Sequence, residues 1–205
     1  MTTISVHGAK GRLGQLIVQA AGSSYVGPCT RTDPVPVCDV VIDVTSPEGL
    51  SALIPRLSGQ QLVVGTTGAL PWDAMKQYAE NAPVVVVPNF SVGVPLLIDL
   101  IKTAVSNLPS QWDIEIVEVH HNAKRDAPSG TAKRLVQAIE DAGGSSPITH
   151  SLRVGDTTGE HTVWLSGPGE RIEIKHVATK RSVFAIGAIR WAEWITTRPP
   201  GLYKP

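Results

Sequence analysis

The sequence predicts an α/β protein in which a doubly wound parallel sheet comes first and a smaller α+β domain with a mostly antiparallel sheet follows. Three observations lead to this prediction: short apolar runs alternate with helical patterns over the first 90 residues, a glycine-rich turn follows the first run, and the pattern changes after residue 90. Short, wholly apolar runs are typical of strands buried on both faces, and their alternation with helices is typical of a parallel sheet covered on both sides.

The first 90 residues contain four apolar runs that predict strands and three periodic segments that predict helices. The strands are expected at residues 4–6, 40–44, 62–64 and 84–87, and the helices at residues 12–21, 47–57 and 71–81. A further strand is expected to end at residues 29–31.

After residue 90 the pattern is that of a mixed domain. Helices are expected at residues 93–108, 129–142 and 182–196, and a strand at residues 112–121. Residues 161–166 and 171–177 flank a Gly-Pro-Gly turn, which predicts an antiparallel hairpin. The last helix is expected to stop before the Pro-Pro-Gly of residues 199–201.

The composition is that of an ordinary globular protein, since 42% of the 205 residues are apolar and 18 basic side chains balance 18 acidic ones. A net charge of zero gives no reason to expect nucleic acid or an anionic membrane as a partner, and no apolar run approaches the ~20 residues of a membrane span. No secretory signal is evident at the N-terminus. We therefore expect a cytoplasmic protein in which Cys29 and Cys38 are free thiols.

A glycine-rich turn follows the first predicted strand and opens the first helix. Its spacing is G-x-x-G-x-x-G, from Gly8 through Gly11 to Gly14, rather than G-x-G-x-x-G. Small residues at these positions let backbone N–H groups approach a pyrophosphate at the start of a helix. The turn therefore predicts a Rossmann-like dinucleotide site, with a glycine-rich turn that binds no ligand as the alternative.

The end of the second strand bears on the choice of nucleotide. An acidic residue there would bind the ribose hydroxyls of NAD, whereas an arginine would accept the extra phosphate of NADP. Thr30 stands where the acid is expected and Arg31 follows it. Arg31, helped by Arg12, favours NADPH, while the nearby Asp33 keeps NADH open.

Two further loops stand where parallel strands end, which is where open α/β sheets bind ligands. They are Gly65-Thr66-Thr67-Gly68 and Pro88-Asn89-Phe90-Ser91. Their hydroxyl, amide and backbone groups could hold a nicotinamide carboxamide and ribose, with Phe90 as an apolar wall. For either loop alone, ordinary turn chemistry is the favoured interpretation.

Two histidines, two cations and a predicted helix start lie together in residues 118–131. Strand alternation places His120 on the face of Ile114 and Ile116, with His121 opposite. Residues 128–131, Pro-Ser-Gly-Thr, begin a helix whose free N–H groups, with the Thr131 hydroxyl, could bind a carboxylate. The segment suits a small anionic substrate together with a proton donor.

Other chemistries fit this segment less well. A metal site beside Asp126 is not expected, because adjacent histidines on a strand point to opposite faces and no third ligand has recognisable spacing. Ser129 is more simply explained as a helix N-cap. It lies in no G-x-S-x-G elbow, and the residues after it lack the Gly-Lys-Ser/Thr order of a phosphate-binding loop.

These residues closely resemble one family, the 4-hydroxytetrahydrodipicolinate reductases, also called dihydrodipicolinate reductases, of the diaminopimelate route to lysine. The most specific motif is His-His-x-x-Lys-x-Asp-Ala-Pro-Ser-Gly-Thr at residues 120–131. The other matching segments are residues 8–14, 42–45, 64–68, 88–93, 159–163, 169–173, 184–188 and 200–203. The resemblance covers nearly the whole chain.

The resemblance implies reduction of a cyclic dicarboxylate to tetrahydrodipicolinate by NADPH or NADH, in a homotetramer assembled through the second domain. It implies proton-transfer roles for His120 and Lys124. The implied substrate contacts are His121, Ser129, Gly130 and Thr131. The implied cofactor contacts are Gly8, Ala9, Lys10, Gly11, Arg12, Leu13, Arg31, Gly65, Thr66, Thr67, Val87, Pro88, Asn89 and Phe90. The family's last helix returns to the nucleotide-binding domain, which gives domains at residues 1–91, 92–185 and 186–205.

The chemistry of such a reduction agrees with these roles. Hydride transfer to an unsaturated carbon beside nitrogen builds negative charge that a cation or an acid must neutralise, and ring carboxylates need cationic or N–H partners. Lys124 supplies a charge and a proton, and His120 supplies an acid that titrates near neutral pH. Which of the two delivers the proton is left open.

Three features depart from the family pattern. The chain is several tens of residues shorter than usual, mainly between residues 31 and 40 and around residues 145–155, and the usual Asp-Phe-Thr is Asp43-Val44-Thr45. The first gap shortens the adenosine side of the cleft, so NADH and NADPH both stay open, and the second could alter tetramer contacts.

The rival hypotheses are a reductase of a related cyclic imine acid and a nucleotide-sensing homologue without catalysis.

Overall fold

The computed structural model describes residues 1–204 and divides the chain into two compact units. The first unit combines Met1–Phe90 with the C-terminal segment that begins at Arg181, and the second is Ser91–Lys180. The sequence predicts boundaries after residues 91 and 185, whereas the whole of the last helix, from Ser182, belongs to the first unit. Within residues 1–204, no helix has the length and apolar character that crossing a bilayer requires.

The first unit is built on a six-stranded sheet in the order β2-β1-β3-β4-β5-β10, in which every neighbouring pair is parallel. The strands are β1 (Ile4–His7), β2 (Tyr25–Cys29), β3 (Val40–Asp43), β4 (Gln61–Val64), β5 (Pro83–Val86) and β10 (Gly201–Tyr203). The helices are α1 (Arg12–Ala21), α2 (Pro47–Leu53), α3 (Trp72–Ala79) and α6 (Ser182–Ile195).

Helices cover both faces of this sheet because alternate strand side chains point to opposite faces. Val40 and Ile42 of β3 pack into one apolar core with α1 and α6, whereas Val41 packs into a second core with α2 and α3. The central strands β1, β3 and β5 are buried along their whole length. This double covering explains why apolar residues stand on both faces of these strands, with Ser5, His7 and Asp43 as buried polar exceptions.

The connection from β2 to β3 is unusually short for parallel strands. Only residues 30–39 join the edge strand β2 to β3 on the far side of β1, whereas such crossovers are commonly helical and a dozen or more residues long. Val35 and Cys38 of this connection pack against the α2/α3 core, so an extended segment covers the sheet where a helix is usual. Cys29 and Cys38 are free thiols.

The second unit is a four-stranded sheet in the order β7-β6-β8-β9 with two helices. Its elements are α4 (Gly93–Ser106), β6 (Asp113–His120), α5 (Gly130–Asp141), β7 (Ile148–Arg153), β8 (Glu160–Gly167) and β9 (Glu170–Val177). β6 pairs antiparallel with β8, and β8 antiparallel with β9, whereas β6 and β7 are parallel. One face of the sheet packs on both helices through a core that includes Ile116, Leu135 and Val163.

The predicted α/β class, the parallel sheet and the β8–β9 hairpin are confirmed. Two strands were not predicted. β7 alternates poorly and is mostly exposed, so its residues lack a strand's apolar pattern. β10 is only three residues long and follows the Pro-Pro that was predicted to close the chain's last helix, yet it pairs with β5 at the sheet edge.

Candidate active site

The glycine-rich turn of the first unit is shaped so that no larger residue fits. Gly8 has a φ of +93°, and a Cβ there would lie 2.8 Å from the Val44 carbonyl oxygen. A Cβ on Gly14 would lie 2.1 Å from the carbonyl oxygen of Gly8. The Gly11 N–H donates to the same oxygen over 2.9 Å, and α1 starts at the next residue, Arg12. The first turn of α1 therefore offers free N–H groups above a surface of bare backbone, which fits a pyrophosphate.

A buried carboxylate ties together the strand ends beside this turn. Asp43, at the end of β3, is fully buried and accepts hydrogen bonds from His7 Nδ1 at 2.7 Å, Thr45 Oγ1 at 2.6 Å and Thr66 Oγ1 at 2.5 Å. The Thr66 hydroxyl also accepts from the Thr45 N–H over 2.9 Å. Because this hydroxyl serves the protein itself, what Thr66 can add to a ligand site is mainly the shape of its loop.

Phe90, suggested from the sequence as an apolar wall for the nicotinamide, lies in the interior of the first unit. Its side chain is buried in the core of the first unit. A Cβ on Gly65 would lie 2.4 Å from the Phe90 ring, and one on Gly187 of α6 would lie 1.7 Å from the Phe90 carbonyl oxygen. Phe90 therefore joins the loop after β5 to the loop after β4 and to α6, since only glycine allows such close approach. Val87 is buried as well, while Pro88 and Thr67 are exposed.

The loop after β2 is held by an arginine that the sequence did not single out. Arg56 donates to the Thr30 carbonyl oxygen over 2.7 Å and also to that of Asp33. Thr30 Oγ1 in turn donates to the Asp33 carboxylate over 2.7 Å and accepts from the backbone N–H of Asp33 over 3.0 Å. Arg31 is exposed in this turn, so its guanidinium is accessible to a ligand.

In the second unit, a buried Glu–His pair stands at the end of β6. Glu118 and His120 are two residues apart and so face the same side of the sheet. Glu118 is fully buried, His120 is 9% exposed, and His120 Nδ1 is hydrogen-bonded to the Glu118 carboxylate. The pKa of His120 is lowered, chiefly by burial; the hydrogen bond and charge of Glu118 oppose this, and the charges of Lys124 and Arg153 lower the pKa further.

Arg153 of β7 binds both oxygens of the Glu118 carboxylate. Its Nη2 lies 2.7 Å from Oε1 and its Nη1 3.0 Å from Oε2, and it also donates to the Asp126 carbonyl oxygen. Burial alone raises the pKa of Glu118, but hydrogen bonds from Arg153, Ser151 and His120 outweigh it and lower the pKa to about 2. The carboxylate is therefore ionised at all physiological pH values.

Ser129 caps helix α5 and is hydrogen-bonded to a polar cluster of the second unit. This cluster consists of Glu118, His120, His161 and Arg153. Its Oγ accepts from the Ala132 N–H over 3.2 Å and contacts His161 Nε2 at 3.1 Å, while its own N–H donates to Glu118 Oε1 over 3.2 Å. Burial, with the nearby His120 charge, lowers the pKa of His161 to about 4. His161 is therefore neutral near pH 7.

The first turn of α5 and the segment before it present polar groups beside this cluster. Gly130 is exposed with open space where a Cβ would stand, and Thr131 and His121 are half-buried. Lys124 Nζ lies 2.8 Å from the Asp126 carboxylate, and Lys124 is near enough to His120 to act on its pKa. The structure thus brings His120, Lys124 and Ser129 into one region.

The cluster also contains three groups that could hold a metal ion, because ligand atoms of Glu118, His120 and His161 lie within 4.8 Å of one another. The guanidinium of Arg153 already occupies both oxygens of that carboxylate. A divalent cation would have to displace Arg153 and overcome its charge and that of Lys124. These groups therefore fit the guanidinium of Arg153 better than a metal ion.

Three residues of the cluster were not identified from the sequence. Glu118 could have been, because the alternation that gives the orientation of His120 applies equally two residues earlier. His161 lies on the predicted hairpin but shows no local pattern. Arg153 reaches the cluster only through the parallel pairing of β6 with β7, in which His120 stands opposite it, and that strand was not predicted.

Comparison with known proteins gives consistent matches over nearly the whole chain. Residues 93–204 match the model "Dihydrodipicolinate reductase, C-terminus", and residues 29–90 match "Dihydrodipicolinate reductase, N-terminus". The 4-hydroxy-tetrahydrodipicolinate reductase of Anaeromyxobacter dehalogenans is 39% identical over 259 aligned positions, covering 99% of this chain and 96% of that protein. The enzyme of that name from Hahella chejuensis is 36% identical, covering 99% of this chain and 97% of that protein.

A solved structure of similar fold leads to the same family. A dipicolinate-bound dihydrodipicolinate reductase from Paenisporosarcina sp. TG-14 superposes with a TM-score of 0.78 at 21% identity, covering all of this chain and 97% of that chain. The alignment with the Anaeromyxobacter dehalogenans protein is longer than this chain of 205 residues, so this chain lacks segments that its relative contains. From the family models and the identities over full length, the chain belongs to the dihydrodipicolinate reductase family.

Proposed function

We propose that this protein reduces 4-hydroxy-tetrahydrodipicolinate to tetrahydrodipicolinate, with loss of water and oxidation of a reduced pyridine nucleotide, in the diaminopimelate route to lysine. The observation that carries the proposal is that one buried carboxylate, Glu118, binds both His120 and the capped start of α5, with the charge of Lys124 acting on His120. A dipicolinate-bound relative shares this fold, and dipicolinate is a planar ring diacid of about the size of the proposed substrate.

The substrate's carboxylates are assigned to the start of α5. The positive end of an α-helix favours an anion beside its first N–H groups, and this supports the start of α5 at Gly130 as the carboxylate site. The Thr131 hydroxyl and the His121 ring add polar contacts, and Ser129 keeps the turn in shape as its N-cap. Lys124 is paired with Asp126, and a substrate carboxylate would compete with that exposed side chain for it.

His120 and Lys124 are assigned to proton transfer. The bound nucleotide supplies a hydride, and the negative charge that develops beside it must be neutralised by a proton or a cation. The two side chains are close enough to interact, since the charge of Lys124 lowers the pKa of His120. His120 Nε2 is the ring nitrogen not bonded to Glu118, and so is the one that can exchange a proton with substrate.

The nucleotide is assigned to the first unit. The bare backbone of Gly8 and Gly14 supports this site for the pyrophosphate, with Ala9, Lys10, Gly11, Arg12 and Leu13 around it. The loops of residues 65–67 and 87–90 would hold the nicotinamide ribose and carboxamide. We infer a preference for NADPH because Arg31 and Arg12 are both exposed cations, whereas the Asp33 carboxylate is turned toward Thr30.

The activity is tested by mixing the protein with NADPH and freshly generated 4-hydroxy-tetrahydrodipicolinate and following the loss of reduced-nicotinamide absorbance. We expect substrate-dependent oxidation, and a Lys124→Ala variant with turnover reduced about 100-fold or more but NADPH affinity unchanged. Lys102→Ala, an exposed lysine on α4, is the matched control and should keep full turnover. Oxidation only with other cyclic imine acids would favour the related-reductase alternative, and full turnover in Lys124→Ala would remove Lys124 from the chemistry.

The preference between nucleotides is tested with Arg31→Ala. The variant should lose at least about ten-fold in kcat/KM for NADPH with little change for NADH, because only the 2′-phosphate requires the guanidinium. Equal losses with both nucleotides would contradict the assignment of Arg31 to that phosphate.

We further propose that the protein is a cytoplasmic homotetramer assembled through the second unit. The face of its sheet that turns away from α4 and α5 carries Val117, Val119 and Leu152, of which Leu152 is 46% exposed. Exposed apolar side chains bordered by polar groups, here the Glu115–His150 pair of the same face, support an interface at this position. Sedimentation equilibrium should give a mass near four chains of 21.8 kDa, and Leu152→Glu should lower it. A monomeric wild type would contradict the proposal.

A further inference from the structure

We propose that Glu118, held by Arg153, is the positioning residue that keeps His120 ready to exchange a proton through Nε2 and at the same time fixes the start of α5. The inference deepens the proposed function and rests on it. It assigns a role to two side chains that touch neither nucleotide nor substrate in the assignment above.

The Glu118 carboxylate is used on both oxygens, each for a different part of the site. Oε2 is bonded to His120 Nδ1 and to Arg153 Nη1, and Oε1 accepts from the Ser129 N–H and from Arg153 Nη2. One buried side chain therefore connects the proposed proton donor to the capping residue of the proposed carboxylate site. A shift of Glu118 would move both.

The carboxylate determines which ring nitrogen of His120 carries a proton. An ionised carboxylate can only accept hydrogen bonds, so Nδ1 must carry hydrogen. In the neutral ring Nε2 is then the free acceptor, and in the charged ring it is the available donor. A Cβ on Gly159 would lie 3.1 Å from this Nε2, so glycine at that position leaves room beside it.

Arg153 keeps this arrangement compatible with a titrating histidine. A lone buried carboxylate would hold the imidazolium tightly and hinder release of its proton. With the guanidinium on the carboxylate's other edge, the charge of Glu118 is balanced whether or not His120 is protonated. The charged and titratable groups around His120 are Glu118 from β6, Arg153 from β7, His161 from β8 and Lys124 from the loop after β6.

The opposing explanation is that Glu118 and Arg153 only fasten β6 to β7. That role requires a bonded pair but places no demand on the tautomer or pKa of His120. The isosteric Glu118→Gln separates the two explanations. Its carbonyl oxygen is needed at the Oε1 position by Ser129 and Arg153, which leaves the amide NH2 at the Oε2 position, where it donates to His120 Nδ1.

The experiment is histidine ¹⁵N NMR of the full-length protein without ligands, together with the pH profile of kcat. In the wild type, neutral His120 should carry its proton on Nδ1. In Glu118→Gln the proton should move to Nε2, the His120 pKa should fall by at least about one unit, and kcat should fall more at pH 8 than at pH 6. Glu115→Gln is the matched control, because Glu115 forms the same kind of pair with His150, at 2.7 Å, between the same two strands on the sheet's other face.

Each outcome decides the proposal. An Nε2–H tautomer in the active wild type would overturn it without any variant, and so would a Glu118→Gln variant with unchanged tautomer and an equal loss of kcat at every pH. The proposed tautomer and its change in Glu118→Gln, with a pH-dependent loss of kcat absent from Glu115→Gln, would support it. A wild type with no reductase activity would instead overturn the proposed function, and the NMR result would show that failure separately.

Discussion

Replacing His161 by glutamine should remove a pH-dependent part of the protein's stability. The folded chain keeps this ring neutral down to a pKa of about 4, because burial and the nearby charges of His120, His176 and Lys124 lower it while Glu118 opposes them. In the unfolded chain the ring titrates near 6.5. Between these values the unfolded state binds a proton that the folded state does not, so the free energy of unfolding falls as the pH falls from about 6.5 to 4.

The size of this loss follows from the two pKa values. A separation of about 2.5 units corresponds to about 3 kcal/mol of unfolding free energy when the pH has dropped through the whole window, and nothing further is lost below pH 4 from this group. His161→Gln also loses packing and the contact with Ser129, but that cost is the same at every pH. The difference between wild type and variant should therefore shrink by about 2–3 kcal/mol on going from pH 7 to pH 4.5.

The assay is urea unfolding followed by tryptophan fluorescence at pH 7, 5.5 and 4.5. His150→Gln is the matched control, since it makes the same substitution at a ring on β7 that is half-exposed in the folded chain rather than buried. Parallel pH curves for wild type and His161→Gln would refute the reasoning, because the buried ring would then be protonated equally in both states.

Three further changes test other parts of the structure. Asp43→Asn should lower the free energy of unfolding by about 2–3 kcal/mol, since one buried donor would face an amide NH2. The control is Asp73→Asn, at an exposed ion pair of 3.8 Å, which should change the same free energy by less than about 1 kcal/mol in the same denaturation measurement. Gly14→Ala, whose Cβ would lie 2.1 Å from a backbone oxygen, should weaken NADPH binding at least about ten-fold in a calorimetric titration, and normal affinity would contradict the pyrophosphate assignment. Gly187→Ala should lower the melting temperature by several degrees, because its Cβ would overlap a carbonyl oxygen at 1.7 Å, and an unchanged melting temperature would contradict the packing of α6.

The parts of the fold that the sequence predicted are those with a strong local pattern. The central parallel strands are mostly apolar because both faces are covered, and the Gly-Pro-Gly turn marks the hairpin of β8 and β9. β7 and β10 have no such pattern. Their places depend on pairing with β6 and β5, which are distant in the chain, and edge strands need bury little of their own surface.

The candidate site divides in the same way. The run from His120 to Thr131 is contiguous, so its chemistry could be predicted from spacing and from the start of a helix. The supporting groups could not, because Arg153 and His161 come from other strands and meet Glu118 only through the sheet's register. The burial of Phe90 could not be predicted either, because the two glycines that receive its ring and its carbonyl group are distant from it in the chain.

The most direct measurement is single-turnover reduction of 4-hydroxy-tetrahydrodipicolinate by NADPH, comparing the wild type with a His120→Gln/Lys124→Ala double variant. The wild type should oxidise one nucleotide for each substrate consumed. The double variant should bind NADPH with wild-type affinity yet reduce substrate at least about 1,000-fold more slowly, since both proton-transfer groups are gone. A double variant that keeps more than a tenth of the wild-type rate would show that the reaction takes place without these two side chains.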